Sequence, residues 1–305
     1  MITYQKFDVN KYSHCLIVTD SNLQGLYGFC GDNVFTLPAG ERAKAFHYAQ
    51  KLCRWFLEKG LNKDGTVVAV GGGSVGDTVG FAASIYKRGV TLLHVPTTLI
   101  AQIDSSIGGK TALNLGSVKN AVGTFYNADT LIDTEFLRTL PQRQWQSGQG
   151  ELLKYRMLSA HVDEVFLQGN VTEVIKACAE YKQAVCLADP FDRDQRKVLN
   201  FGHTVGHAME LTCRMSHGEA VCNGMYYEII LAQKLGLCTQ SYAEKWQKEI
   251  EKLFAVRHLT REILQNTQHD KKNTDGCITC VLPSGNGFVL RNFTLQQLEN
   301  LLLDQ

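Results

Sequence analysis

Thr66-Val67-Val68-Ala69-Val70 is an unbroken apolar run that passes directly into Gly71-Gly72-Gly73-Ser74-Val75-Gly76-Asp77. A β-branched run without polar alternation reads as a strand buried on both faces, and helices must then cover both faces of its sheet. Other apolar runs fit the same plan: Cys15 to Asp20, Thr91 to Val95 closed by Pro96, and a short one at Val34 to Leu37. Residues 41–59 between them carry helical spacing. Strand, helix and strand in this rhythm predict a parallel α/β sheet. Beyond about Pro141 the strand signals fade. Helical patterns follow over 150–167, 171–187, 202–212, 221–235, 242–254 and 295–303, interrupted by one alternating run from Cys277 to Leu282.

Composition narrows the function. The 305 residues are 44% hydrophobic and 20% charged, as in a soluble globular chain, and the net charge of +1 leaves no footprint for nucleic acid or an anionic membrane. No apolar run approaches the ~18 residues of a membrane span, and Met1 to Asn10 lacks the pattern of a secretory signal. Ten cysteines without framework spacing predict reduced thiols and a cytoplasmic protein. Cys277-Ile278-Thr279-Cys280 has no second CxxC to complete a zinc site, so both read as ordinary strand cysteines.

The glycine-rich turn formally contains GxGxxG through Gly71, Gly73 and Gly76. Glycines there let backbone N–H groups approach a phosphate at a helix N-terminus. The acidic residue about 20 positions later in a standard dinucleotide fingerprint is missing, so the turn predicts pyrophosphate binding in a non-standard arrangement. Residues 1–142 are therefore expected to form a Rossmann-like, parallel-sheet nucleotide-binding domain. Residues 143–305 would form a mainly α-helical metal- and substrate-binding domain, the two meeting along a cleft.

Three of the nine histidines, His203, His207 and His217, fall within fifteen positions. Neutral imidazole is a common zinc ligand. His203 and His207 are four apart and share a helix face, while His217 lies beyond a short polar break. Glu151 and Lys154 also share a helix face. Glu151 is a candidate carboxylate ligand, and a surface ion pair is the plainer reading of the two. Between Asp104 and Gly123 lie Lys110, Lys119, Asn120, several hydroxyls and paired glycines, a polar segment suited to a phosphorylated substrate. It is not a P-loop, because no glycine stands five positions before Gly109.

Together these motifs resemble the 3-dehydroquinate synthase family of sugar phosphate cyclases, from about Leu16 to Leu290. The resemblance rests on residues 39–44, Gly71 to Asp77, Arg88-Gly89-Val90, Val95-Pro96-Thr97-Thr98 and Asp104 to Thr111. It continues through Lys119-Asn120, Glu151 to Tyr155, Leu199 to His207, His217-Gly218-Glu219 and Asp270-Lys271-Lys272. It implies that Glu151, His203 and His217 hold a catalytic zinc or cobalt ion, and that His207 sits near the substrate phosphate. Asp20, Glu41, Lys44, Gly73, Ser74, Val75, Gly76, Asp77, Thr97 and Thr98 match positions around NAD. Phe136, Leu137, Arg138 and Thr139 match another NAD-contacting stretch.

Asp104 falls in the same resemblance as a substrate-site residue, and Lys110, Lys119 and Asn120 match cofactor and phosphate contacts. Lys154, Lys182, Arg196, Asn200 and one of Lys271 or Lys272 match contacts to the rest of the substrate. Arg88 matches an arginine that reaches the neighbouring subunit's site, implying a homodimer. The implied reaction converts 3-deoxy-D-arabino-heptulosonate 7-phosphate to 3-dehydroquinate and phosphate, in the shikimate route to chorismate and the aromatic amino acids. It runs by transient oxidation, elimination, reduction and aldol closure, with NAD recycled.

The chain departs from the family in several places. Gly150 stands where alanine is usual, Arg156 where glycine is common and Asp192 where glutamate is usual, and the stretch before Leu16 and the His207–His217 connection are short. Three rival readings remain: a related cyclase acting on another sugar phosphate, a metal-dependent alcohol or glycerol dehydrogenase, and a catalytically silent NAD-binding protein.

Overall fold

The structure is a computed structural model that describes residues 1–116, 118–269, 277–285 and 287–303. The chain divides into two compact units, one of Met1–Pro141 with Lys182–Leu187 and one of Gln142–Tyr181 with Ala188–Gln305.

The first unit is built on six strands: β1 (Ile2–Tyr4), β2 (Leu16–Asp20), β3 (Val34–Leu37), β4 (Thr66–Gly71), β5 (Thr91–Pro96) and β8 (Asp129–Ile132). They lie in the order β1-β8-β5-β4-β2-β3, and every pairing is parallel. Val67, Val68, Ala69 and Val70 of β4 are all buried, which is why that stretch shows no alternation. The chain leaves β2 outward to β3 and then returns to β4 on the other side of β2. The sheet's direction of winding therefore switches between β2 and β4, the place where open α/β sheets bind ligands at the strand ends. Helices α1 (Ser21–Tyr27), α2 (Phe46–Glu58) and α3 (Gly73–Ile85) connect the strands.

Two stretches differ from the sequence expectation. Residues 41–59 are not one helix: a 3-10 segment, Gly40–Lys44, ends at Ala45, whose extended backbone separates it from α2. The polar segment after Asp104 is not a loop but an antiparallel hairpin, β6 (Lys110–Leu115) and β7 (Val118–Phe125), with an irregularity between Leu113 and Leu115. Its glycines and lysines hid an alternation in which Thr111 and Leu113 turn inward while Lys110 stays exposed.

The second unit contains α4 (Gln142–Leu158), α5 (Ala160–Leu167), α6 (Val171–Ala188), α7 (His203–Cys213), α8 (His217–Lys234), α9 (Gln240–Leu253), α10 (Arg261–Asn266) and α11 (Leu295–Leu302). The end of α6 belongs to the first unit. The expected helix over 150–167 begins earlier, at Gln142, and breaks at Ser159, whose hydroxyl caps α5 by accepting from the Val162 N–H. The strand expected at Cys277 runs from Ile278 to Ser284 (β9) and pairs with a strand the sequence did not announce, β10 (Gly287–Phe293). All ten cysteines are free thiols. No helix among the described residues is long and apolar enough to cross a membrane.

His94 of β5 is buried beside the glycine-rich turn, its Nδ1 placed 3.4 Å from where a Cβ on Gly76 would stand. Burial pushes its pKa down to about 4, so the native ring is neutral. The unfolded ring takes up a proton near pH ~6.5. This group therefore leaves stability at its full value above that pH and erodes it as pH falls toward 4, by roughly 3 kcal/mol. His94→Gln should flatten that part of the pH dependence of thermal unfolding. An unchanged slope between pH 4 and 7 would contradict the assignment.

Candidate functional site

Glu151 lies on α4, while His203 and His217 are the first residues of α7 and α8. One ligand atom from each falls within 4.8 Å of the others. Glycines bring them together. A Cβ on Gly150 would collide with the carbonyl oxygen of Gly218, and one on Gly218 with that of Ser147, so α4 and α8 touch backbone to backbone. The Ser147 hydroxyl accepts the Gly218 N–H at 3.1 Å across that contact. A Cβ on Gly224 would collide with the Gly202 carbonyl, and one on Gly206 would stand 2.8 Å from the Ala220 oxygen, which closes α7 onto α8. Every ligand is thus the neighbour in sequence of a glycine at a helix crossing.

Glu151 is fully buried, and its Oε2 meets the equally buried Lys154 Nζ at 2.6 Å. The pair is therefore internal, not the surface pair that i,i+3 spacing suggests. Its other oxygen lies 2.9 Å from His217 Nε2 and 3.4 Å from His203 Nε2. Burial alone would raise the Glu151 carboxyl, but Lys154 and the two imidazoles outweigh it and hold it well below the usual range. Burial favours the neutral form of His203 and takes its pKa down to about 3. Burial also favours the neutral form of His217, but its hydrogen bonds to Glu151 and Glu210 prevail and raise it to about 10.

Two imidazoles and an ionised carboxylate converging at this distance are the donor set of a catalytic zinc-type ion with a position left for substrate. The cluster also has orienting partners. His203 Nδ1 lies 3.1 Å from the Phe201 carbonyl, and His217 Nδ1 lies 3.2 Å from Glu210 Oε2, so each ring turns Nε2 toward Glu151. Glu210 was missed in the sequence, although it follows His203 by seven positions on the same helical face. His207 stays outside the ligand set, edge-on to His203 with ring centroids 5.3 Å apart. Lys154 also donates to the Leu199 carbonyl at 3.1 Å, which ties α4 to the segment leading into α7.

Arg156 is buried. It pairs with Asp163 at 2.8 Å and Glu249 at 3.1 Å and lies over the Phe166 ring, so it joins α4 to α5 and α9 without entering the ligand cluster. Nearby, Asp189 accepts the backbone N–H groups of Arg193, Asp194 and Arg196, shaping the loop that carries Asp192 in a left-handed conformation. Arg196 is buried and donates to the Pro190 carbonyl at 2.9 Å, and Asn200 is half-buried at the end of the same segment. Lys272 and its neighbour Lys271 lie outside the described residues.

In the first unit, continuing the β2–β4 register sets Asp20 beside Gly71 at the switch point. Asp20 itself caps α1, accepting the N–H groups of Asn22 and Leu23. Gly72 caps α3 without a side chain, and its carbonyl accepts the Val75 and Gly76 N–H groups, so no capping side chain stands between the start of the helix and an anion. Thr97 donates its N–H to the Gly71 carbonyl, and the Thr98 methyl packs against Gly72. These close contacts hold Gly73, Ser74, Val75 and Gly76 in a bare backbone cradle suited to pyrophosphate.

Beside the cradle, the buried Lys44 pairs with Asp77 at 2.6 Å and hydrogen-bonds the Asn120 side chain. Burial raises the Asp77 carboxyl, and Lys44 offsets only part of that. Asn120 has a left-handed backbone, and its N–H donates to Asn114, which in turn donates to Glu41. The structure thus joins Glu41, Lys44, Asp77 and Asn120 in one network. Lys182 pairs with Asp104 at 2.6 Å and also favours the charged form of Asp77.

Lys110 and Lys119 are exposed on the hairpin, and Arg88 is exposed on a tight turn where both it and Lys87 have positive φ. Phe136 and Leu137 are core residues, Arg138 pairs with Glu135 at the surface, and Thr139 hydrogen-bonds Tyr27.

Sequence models of the N-terminal and C-terminal parts of 3-dehydroquinate synthase match residues 34–147 and 148–273. The chain belongs to the 3-dehydroquinate synthase family. The 3-dehydroquinate synthase of Alkaliphilus metalliredigens is 38% identical over 301 residues, covering 90% of this chain and 85% of that protein. That of Dictyoglomus thermophilum is 35% identical over 302 residues, covering 92% and 85%. Among solved structures, a 2-epi-5-epi-valiolone synthase from Streptomyces hygroscopicus subsp. jinggangensis 5008, with NAD+ and Zn2+ bound, is 27% identical. It superposes with a TM-score of 0.84 over 100% of this chain and 96% of that one. A probable glycerol dehydrogenase from Sinorhizobium meliloti 1021 shares the fold alone, at TM-score 0.63 and 11% identity, covering 99% and 95%.

The crossing of α4 and α8 leaves no room for a Cβ at position 150. Gly150→Ala should therefore weaken zinc retention about tenfold or more, by moving a ligand, and lower stability by about 1–3 kcal/mol. Competition with a chelator and thermal unfolding check it, and native zinc retention would contradict the crossing as described. Zinc must also displace the His217 proton. Its affinity should rise about tenfold per pH unit between pH 7 and 9, and calorimetry in buffers of different ionisation enthalpy should count about one proton released per ion.

Proposed function

We propose that this protein is a 3-dehydroquinate synthase that converts 3-deoxy-D-arabino-heptulosonate 7-phosphate to 3-dehydroquinate and phosphate. The observation that carries the reading is the cluster of half-buried His203 and His217 on the buried Glu151, in a chain both of whose halves match that family. Bound NAD+ and a zinc or cobalt ion would supply transient hydride acceptance and Lewis acidity, respectively.

The chain's own residues would do the rest. The glycine-rich turn at residues 73–76, with Thr97, Thr98, Asp20 and the Glu41–Lys44–Asp77 network, would hold the dinucleotide. Glu151, His203 and His217 would hold the metal. Arg196, anchored by the Pro190 carbonyl, presents a fixed guanidinium suited to a carboxylate, with Lys182, Asn200 and Asp104 for hydroxyls. Lys110, Lys119, Asn120 and His207 supply charge and donors for the phosphate. Lys154 is held rigidly by Glu151 and Leu199, so its ammonium can orient substrate with little reorganisation. In this reading residues 1–142 serve NAD, residues 143–305 serve metal and substrate, Arg88 reaches a second copy in a homodimer, and the enzyme works in the cytoplasm.

The test is phosphate release from heptulosonate phosphate by purified protein with NAD+ and zinc or cobalt. Release that stops with chelator, yields dehydroquinate and leaves no lasting NADH is expected. Turnover of sedoheptulose 7-phosphate or glucose 6-phosphate in its place would move the assignment to another cyclase. Lasting NADH from simple alcohols would move it to a dehydrogenase. Arg196→Met should lower kcat/KM by about 10–100-fold, the worth of one charge-assisted contact.

A further inference from the structure

We propose that Glu228 is a positioning residue for the metal ligand His203 and acts on it through a single peptide group. Glu228 lies on α8 and is fully buried. Its Oε2 accepts the Gly202 N–H at 2.6 Å. That N–H belongs to the same peptide unit as the Phe201 carbonyl, and the carbonyl lies 3.1 Å from His203 Nδ1. With Nε2 given to a cation, Nδ1 would carry the ring proton and donate it to this carbonyl, which only accepts. A carboxylate, a rigid planar peptide and an imidazole are therefore linked in series, ending at the nitrogen that would meet the metal.

The link has two physical effects. It fixes the plane of the peptide at both ends, and so the tautomer and tilt of the ring. A carboxylate at the N–H also polarises the amide, strengthens its carbonyl as an acceptor and makes the ring a better donor to a cation. His217 receives a carboxylate directly from Glu210, while His203 receives one by way of the backbone.

The site is built for this arrangement. Gly202 has φ +78, and a Cβ there would collide with Met225 on α8. The N-cap of α7 has no side chain of its own, and Glu228 supplies an acceptor for its N–H from α8. α8 thus provides one ligand itself and orients another.

The inference rests on the metal reading of the cluster but not on the identity of the sugar phosphate, so a failed substrate assay and a failed metal assay are separate results. Metal-stripped full-length protein would be titrated with Zn2+ against a chromophoric chelator, with NAD binding as the check on the fold. Glu228→Leu should weaken Zn2+ binding about 10–100-fold. In nitrogen spectra of histidine-labelled protein, it should also turn His203 from one tautomer into a mixture. Glu228→Gln keeps an acceptor and should restore binding to within about threefold of native, a rescue expected if the acceptor rather than bulk packing sets the ring. Native Zn2+ affinity in Glu228→Leu, or an equal loss in Glu228→Gln, overturns the proposal. If Glu228→Leu does not fold, Glu228→Gln alone decides: the weaker acceptor must shift the His203 Nδ1–H resonance, and an unshifted resonance overturns it.

Discussion

The metal cluster depends on helices that cross with no side chain between them. Gly150 against Gly218, and Gly202 and Gly206 against the face of α8 that carries Gly224, bring three backbones closer than any Cβ would allow. Glu151, His203 and His217 each adjoin one of those glycines, so their Cα positions are set by backbone contact and not by flexible packing. Precision at that level is what a three-ligand site with an open position requires. Glycine lowers helix propensity, and the dense packing of α4 with α8 around Leu153, Val221, Met225 and Ile229, and of α7 with α8 around Val205, Met209 and Leu231, compensates.

A cluster built on a fully buried carboxylate also has to balance charge. Glu151 would not ionise in an apolar interior by itself, and Lys154 keeps it charged. Glu210 and Glu228 add carboxylates behind the two imidazoles, one directly and one through a peptide. The result is a site whose carboxylate is ionised and whose rings are oriented before any cation arrives, with the His217 proton still to be displaced.

The parallel sheet was legible because β4 is buried on both faces and ends in three glycines, a pattern few other folds produce. The hairpin β6–β7 was not, because its lysines, hydroxyls and glycines read as turn chemistry and its inward face is only two or three residues long. Helix existence in the second unit was legible from periodicity, but the break at Ser159 was not, since apolar spacing continues across it. His203 and His217 stood out by their density in sequence, and His207 looked like an equal candidate until the resemblance to a family set it outside the metal ligands. Glu151 looked like an ordinary i,i+3 pair, and the resemblance to a family marked it as more. Glu228 carried no signal and Glu210 only its spacing from His203, because a carboxylate on a helix is commonplace until its depth and partner are seen.

The most direct test of the central claim is anomalous diffraction at the metal edge from crystals of the protein grown with zinc or cobalt. The account predicts one strong peak within ligand distance of a Glu151 carboxylate oxygen, His203 Nε2 and His217 Nε2, with His207 outside the first coordination shell. A peak ligated by His207 in place of His217, or none at this cluster in catalytically active crystals, would contradict it.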